Sequence, residues 1–277
     1  LINLSGTSPA INLLDVVNIQ VKDTNNVFID LFTGEVSSVQ NTLEGAGAND
    51  QFANTVQVQA IGVLGLLVKR TAGAVSYPEE LDGARITRIL EETLYIAWED
   101  ISNTQTWNDF TTETWANYGV QGIDTIDAGR YEVLARPAQV EQAYNLTDIT
   151  QQSGLGYLYD TTDFKIGYAD AERRSENYTT NLIELDANLV NADIQTRLQT
   201  ADIVNSVVIQ YDDPVLEVAA QNDTSINNYG LLEEIRSTIL AETADATEQA
   251  TNFVNYRGTP KTSLEAVSVN LAHSDMT

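Results

Sequence analysis

Two spacings of apolar residues divide the chain. Residues 10–21 and 27–36 are dense in Val, Ile, Leu and Phe, and the polar run Lys22-Asp23-Thr24-Asn25-Asn26 between them has turn chemistry, so this pattern predicts a β-hairpin. A Gly/Ala/Asn/Asp loop follows at 45–50. Over 55–60, Val56, Val58 and Ala60 alternate with Gln57 and Gln59, the period of a strand with one buried face. Residues 61–68, with Leu64, Leu66 and Leu67, suit a short helix or a continuation of that strand.

The period lengthens after Tyr77. Pro78-Glu79-Glu80 supplies a helix start, and Ile86, Ile89, Leu90, Leu94 and Ala97 recur at steps of three and four, which predicts a helix over about 80–97. Residues 98–129 hold all three tryptophans, Trp98, Trp107 and Trp115, in a Thr/Asn/Asp-rich setting without periodicity. So long a stretch without regular structure needs packing by the indole rings or by a neighbouring chain. A second helix is expected over 137–152, stopped by Gly154-Leu155-Gly156. A hairpin follows, with strands at 157–159 and 164–168 around the turn Asp160-Thr161-Thr162-Asp163. Residues 204–210 and 215–220 read as another strand pair, 242–256 as a helix ended by Gly258 and Pro260, and 264–271 as a last strand.

No fixed-period repeat is present, which argues against a solenoid or propeller. Both ends are β-rich and the middle carries helices and a hairpin. The expected fold class is α+β, mainly β, with β domains at 1–72 and 176–277 flanking an α+β insert at 73–175.

Composition narrows the function. Forty acidic residues against 14 basic give a net charge of −26, although charged residues are only 19% of the chain. Against an average of roughly 25%, the imbalance comes from missing Lys and Arg. Such a surface repels phosphate, so sequence-specific nucleic-acid binding is not expected; the acidity serves solubility, a salty environment, or a surface that DNA passes without being held. The absence of Cys removes disulfides, thiolate nucleophiles and Cys-based zinc sites. The lone His273 cannot build a His-rich metal site, and it would have to serve any Ser-His-Asp triad from near the end of the sequence. No apolar run approaches the roughly 20 residues of a membrane-spanning helix.

Several features carry candidate chemistry and are better read as structure. Gly62-Val63-Leu64-Gly65 and Gly154-Leu155-Gly156 match neither a Walker loop nor a dinucleotide fingerprint. Asp160 and Asp163 could share a calcium ion, but the loop lacks EF-hand spacing and reads as a hairpin turn. Glu91, Glu92, Asp212 and Asp213 read as solvated charges, since carboxylate pairs suited to glycoside hydrolysis are too easily drawn from so many acids. Trp98, Trp107 and Trp115 could stack on sugar rings or anchor an irregular segment and a subunit contact; the second reading is preferred. No catalytic, cofactor-binding or metal-ligating residue is assigned.

Taken in order, the segments resemble the tail hub or minor tail proteins of long-tailed bacteriophages, especially siphophages. Residues 31–36, Leu-Phe-Thr-Gly-Glu-Val, resemble the family's early LFxGxV strand. Val56 to Ala60 and Leu64 to Leu67 resemble its VxVxAxDxLxxL segment, with Ile61 where Asp is common. Asp82-Gly83-Ala84-Arg85-Ile86 resembles xGxRIxxIL, with Trp98 following, and residues 141–168 resemble a helix leading into a GxLYxDxxGxLxYxxR hairpin. Val204-Asn205-Ser206-Val207 resembles VVNxVxV, and residues 222–230, ending Asn228-Tyr229-Gly230, resemble DxxSIxxYG, with a helix and Gly258-Thr259-Pro260 after it.

The resemblance implies two domains related to the tail-tube β-barrel. It also implies a homotrimer at the tail tip of the virion, presenting six tube-like domains to a hexameric tail. Implied partners are the distal tail protein, the tail tube and tail-fibre or receptor-binding proteins, with no cofactor and no enzymatic activity. The alternative is a carbohydrate-binding or glycan-hydrolysing tail module. Three expectations follow from the residues and the resemblance together. The start at Leu1 and the stop at Thr277 soon after a strand suggest a piece of a longer polypeptide. Asp223, Ser225, Ile226, Tyr229 and Gly230 form a structural joint, in which Asp223 and Ser225 bond nearby N–H groups and Gly230 takes positive φ. The trimer encloses an acidic channel through which DNA slides.

Overall fold

The computed structural model describes residues 11–22, 26–44, 53–94, 122–179, 195–212 and 215–266. The expected hairpin is present as β1 (Val16–Lys22) and β2 (Phe28–Glu44), joined by β3 (Ala53–Ile61) in an antiparallel ribbon of order β1-β2-β3. The ribbon is stepped. β1 pairs with residues 28–35 of β2 and β3 with residues 35–44, so both neighbours oppose β2 only at Glu35.

The middle of the chain is built on two helices. After α1 (Leu64–Leu67), β4 (Thr71–Ala72) and β5 (Glu80–Leu81) comes α2 (Asp82–Leu94), whose Ile86, Ile89, Leu90 and Leu94 are all buried at the expected helical spacing. Burial of each contributes roughly 1.5–3 kcal/mol. β6 (Ile123–Ile126), β7 (Glu132–Val133) and β8 (Glu141–Gln142) lead to α3 (Ala143–Gly154), which packs on α2. The predicted start of this helix at 137 is too early. Gln139 donates to the Gly73 carbonyl and β8 pairs with β4, so tertiary pairing holds residues 139–142 extended.

At its other end α3 runs through Gly154, and Leu155 takes the left-handed conformation (φ 56°). The flanking glycines serve close approach: a Cβ on Gly154 would lie 2.5 Å from Asp82 Oδ2, and one on Gly156 2.2 Å from the Tyr168 hydroxyl. β9 (Tyr157–Asp160) and β10 (Ile166–Ala169) make the expected hairpin, and β6 adds parallel to β10, giving the order β6-β10-β9. β6 lies in a stretch read as irregular. α4 (Ala171–Thr179) was not legible because its sequence is almost wholly polar; Asp170 starts it by accepting the N–H groups of Glu172 and Arg173, both at 3.0 Å.

The last part holds β11 (Gln195–Arg197), β12 (Ser206–Tyr211), β13 (Leu216–Gln221), α5 (Asp223–Tyr229), β14 (Glu233–Ser237), α6 (Thr243–Arg257) and β15 (Ser263–Ala266). β12 and β13 form the predicted hairpin; α5 then carries the chain across so that β14 pairs parallel to β12 on its other side. α6 lays Ala246, Ala250 and Val254 on the face formed by Val207, Ile209 and Tyr211. β14 escaped the sequence reading because its only apolar residue, Ile235, is 68% exposed. Arg236, registered opposite core-facing Ile209, instead lays its guanidinium 4.8 Å from the Phe253 ring centroid.

Two apolar cores result. One joins α2, α3 and β10 through Leu67, Ile86, Leu90, Leu146, Ile166 and Tyr168; the other joins α6 and β12 and takes in Tyr131 from before β7. The expected pair of tail-tube-like barrels is not found. The fold is mixed α and β with small sheets of two or three strands, none closing on itself among the described residues. The physical reason is clear in β12–β14, where a helix covers the face a barrel would turn inward and parallel pairing replaces the return strand.

Candidate functional site

The 222–230 segment is a short helix, α5, where a turn was expected. Its cap is Asn222, whose side-chain oxygen accepts the Ser225 N–H at 3.1 Å, while Asp223 stands in the first turn. Ser225 is buried; Ile226 is half-buried and its N–H donates to the Asn222 carbonyl at 3.0 Å; Tyr229 is exposed. Gly230 has φ 80° and ψ 173°, a region essentially restricted to glycine. Open space surrounds the position where its Cβ would stand. Gly230→Ala therefore meets no clash, and its expected cost of about 1–3 kcal/mol is purely conformational; chemical denaturation would read it, and a change below the lower figure would remove the backbone role of Gly230.

The residue that organises this segment is Asn205, which sequence reading quoted only as part of a strand. It is fully buried. Its Nδ2 donates to the Gly230 carbonyl at 2.7 Å and to Ser225 Oγ at 3.2 Å, and its Oδ1 accepts the Leu232 N–H at 2.8 Å. Both ends of α5 are thus tied to the start of β12. A buried amide flanking a short helix was the available signal, but a single Asn in a Val-rich strand does not announce it.

A second polar network surrounds Arg85 on α2. Nε donates to Glu80 at 2.9 Å, and Nη2 donates to the Pro78 and Leu134 carbonyls at 2.7 and 2.9 Å. The guanidinium lies 5.1 Å from the Tyr77 ring centroid. Glu92, read as a solvated charge, is half-buried and accepts the Tyr77 hydroxyl at 2.6 Å and the N–H groups of Gly73 and Ala74 at 3.0 and 2.8 Å. Burial alone would raise its carboxyl, but these three donors outweigh it and hold the group below the usual range. Glu91 is exposed.

Asp160 and Asp163 do not share a site. Asp160 accepts the Leu64 N–H at 2.9 Å, while Asp163 pairs with Lys165 at 2.6 Å. Asp212 carries φ 63° at the end of β12 and donates its N–H to the Leu240 carbonyl at 2.9 Å. Trp98, Trp107, Trp115, Asp213 and His273 lie outside the described residues.

Three carboxylates do converge, from Glu79, Glu132 and Glu242, with oxygens within 4.8 Å of one another, an arrangement able to take a hard cation. Two of the three are exposed, and exposed acids are abundant in this chain. A groove of about 450 Å³ opens beside α3, walled in part by Tyr77, Arg136, Glu141, Ile149 and Ile239. Arg136 is paired with Glu141 at 2.8 Å, and of the aliphatic hydroxyls lining the groove, Thr150 donates to the Leu146 carbonyl and Ser237 to the Gln210 side chain.

The ribbon presents an unusual surface. β2 has 17 residues and is backed by β1 over one half and by β3 over the other. Val16 is 66% exposed and Phe28 62%, with Ile19 and Leu31 also exposed. β3 carries no charged residue, and no proline interrupts residues 16–61. Isolated sheet edges are ordinarily blunted by both devices.

No protein-family profile matches the chain, and no curated protein matches its sequence. Among solved structures it is similar to a 43 kDa tail protein of a prophage from Shewanella oneidensis, at 12% identity and a TM-score of 0.48, over 85% of this chain and 61% of that one. It is also similar to a tail protein from Neisseria meningitidis, at 11% identity and a TM-score of 0.47, over 80% and 59% of the two chains. A prophage tail protein from Listeria monocytogenes is similar at 11% identity and a TM-score of 0.44, over 89% and 69%. The chain thus spans about three fifths of the length of the first two; all three are tail proteins, two of them of prophages.

Proposed function

We propose that this chain is a structural, non-enzymatic component of a bacteriophage tail, placed at the tail tip of the virion as a homotrimeric hub. In this reading it joins the distal tail protein and tail tube to tail-fibre or receptor-binding proteins and lets DNA pass along an acidic channel. The ordered motifs of the sequence support the family reading. The observation that carries assembly is the stepped ribbon: a two-stranded hairpin is marginal alone, and here each half of β2 has an unpaired edge among the described strands beside exposed Val16, Ile19 and Phe28. Strand addition by a neighbouring copy satisfies those backbone groups and covers those side chains. With a net charge of −26, the assembled walls repel the DNA backbone.

The test is the mass of the purified chain in solution, by sedimentation or light scattering, beside a Val16→Lys/Ile19→Lys variant. Both positions are exposed in the single chain, so the double change is expected to leave its stability within about 1 kcal/mol. A wild-type trimer that the variant reduces to monomers is the expected result. A wild-type monomer at all concentrations defeats the hub reading, and an undiminished variant trimer moves the contact away from the ribbon.

A further inference from the structure

Asp82, the first residue of α2, is completely buried on the seam between the two cores. Its Oδ1 accepts the N–H groups of Arg130 and Tyr131 at 2.8 and 2.9 Å, and its Oδ2 accepts the Tyr168 hydroxyl. Tyr168 belongs to the first core and Tyr131 to the second. The Asp82 N–H also donates to the Tyr131 carbonyl at 2.9 Å. A Cβ on Gly129 would stand 2.6 Å from Oδ1, matching the close fit of Gly154 on Oδ2. The seam continues through buried Ser153 and Gln249: Gln249 Nε2 donates to the Ser153 carbonyl at 2.7 Å, and Ser153 Oγ accepts the Ile239 N–H at 3.0 Å.

Among the described residues no cation pairs with this carboxyl. From the preceding loop come Asp127, which pairs with Arg173 at 3.1 Å, and Arg130, whose guanidinium is turned to Glu248 at 2.5 Å. Tyr168 faces it from β10 with Asp170 just beyond; α6 brings Asp245 and Glu248 towards Tyr131; α3 presents Gly154. Burial raises the Asp82 carboxyl above the ordinary aspartate range, outweighing its three donors, and raises the Tyr168 hydroxyl further, so that Tyr168 keeps its proton and donates to the ionised carboxylate.

We propose that Asp82 is a proton-operated clasp between the two cores: one proton on its carboxyl holds the seam shut, and ionisation makes the seam easier to part. The sign follows from linkage. A carboxyl raised in the closed state binds a proton that an opened, hydrated seam releases; this contribution is complete below the ordinary aspartate value and is lost as pH rises through the closed-state value. Oδ1 keeps its two N–H donors in either state, whereas a proton on Oδ2 reverses the bond to Tyr168, whose hydroxyl oxygen then accepts.

Carbon NMR of the side-chain carboxyls in the intact chain, with Asp82 assigned through Asp82→Asn, tests the idea directly. Asp82 is expected to titrate above the roughly 3.9 of an exposed aspartate; titration at or below that value, or a carboxylate persisting to acid unfolding, overturns the clasp. Hydrogen exchange of the Arg130 and Tyr131 amides, corrected for intrinsic rates, supplies a second reading. Protection should fall by up to about tenfold per pH unit through the interval from the ordinary aspartate value to the Asp82 midpoint, as one proton is released per opening, and should be flat in Asp82→Asn. Equal slopes in both proteins also overturn it. If Asp82→Asn does not fold, the wild-type carbon titration still decides, with assignment through Tyr168→Phe.

Discussion

Arg85→Ala is expected to destabilise the chain by about 3–5 kcal/mol, the range for removing one member of a buried ion pair. The side chain is 2% exposed and Glu80 is 8% exposed. Truncation strips Glu80 of its buried cation and leaves only Arg88, at 2.6 Å and largely in water, to hold the carboxylate. It also removes the donor from the Pro78 and Leu134 carbonyls, which tie α2 to the residues just before β5 and just after β7. Arg85→Met keeps most of the volume and separates the two causes: a loss close to that of alanine assigns the effect to unpaired polar groups, whereas a near-wild-type midpoint assigns it to packing. Arg85→Lys keeps the charge but cannot spread a planar fork over three acceptors, and is expected to lose about 1–2 kcal/mol. Urea unfolding near neutral pH measures all three, and a loss below 1 kcal/mol for alanine would show that the network contributes little.

Asn205→Ala is the second large effect, roughly 3 kcal/mol. It removes the donor to the Gly230 carbonyl and the acceptor of the Leu232 N–H together, at a position with no exposed surface, and each buried group left unpaired costs about 1–3 kcal/mol. The loss has a local signature. Exchange of the Leu232 amide should accelerate beyond what the global loss of stability explains, since its side-chain acceptor is gone. Asn205→Asp should be worse than alanine at neutral pH, because a buried carboxylate would face the Gly230 carbonyl with no proton to offer, and should recover part of the loss in acid. An aspartate variant as stable as wild type would mean that the amide does not bridge α5 and β12 as described.

These two side chains also show where sequence reading succeeds and stops. The hairpins β1/β2, β9/β10 and β12/β13, and helices α2 and α6, were legible because each carries its own periodic apolar face and local stop signals: Ile86, Ile89 and Leu90 in α2, Ala246 and Ala250 in α6. Such elements are specified by neighbours three or four residues away or directly across a turn. β14 and α4 were not, because Glu234 and Arg236 face inward on long stems and α4 is polar. Glu92 read as a solvated charge for the same reason: its three donors lie 15 to 19 residues away in sequence.

By itself the sequence determined the acidity, the absence of cysteine chemistry, the order of the locally coded strands and helices, and the motifs that resemble a tail protein. Only the tertiary structure decided whether the strand sets close. Closure depends on pairings between distant segments, and here a parallel β12–β14 contact and a covering helix leave small open sheets where barrels were expected. The same holds for Asp82, Arg85 and Asn205, ordinary residues in ordinary contexts along the chain. Burial and the convergence of groups 20 to 86 residues apart give them their weight, since a polar side chain becomes decisive only where water cannot replace its partners.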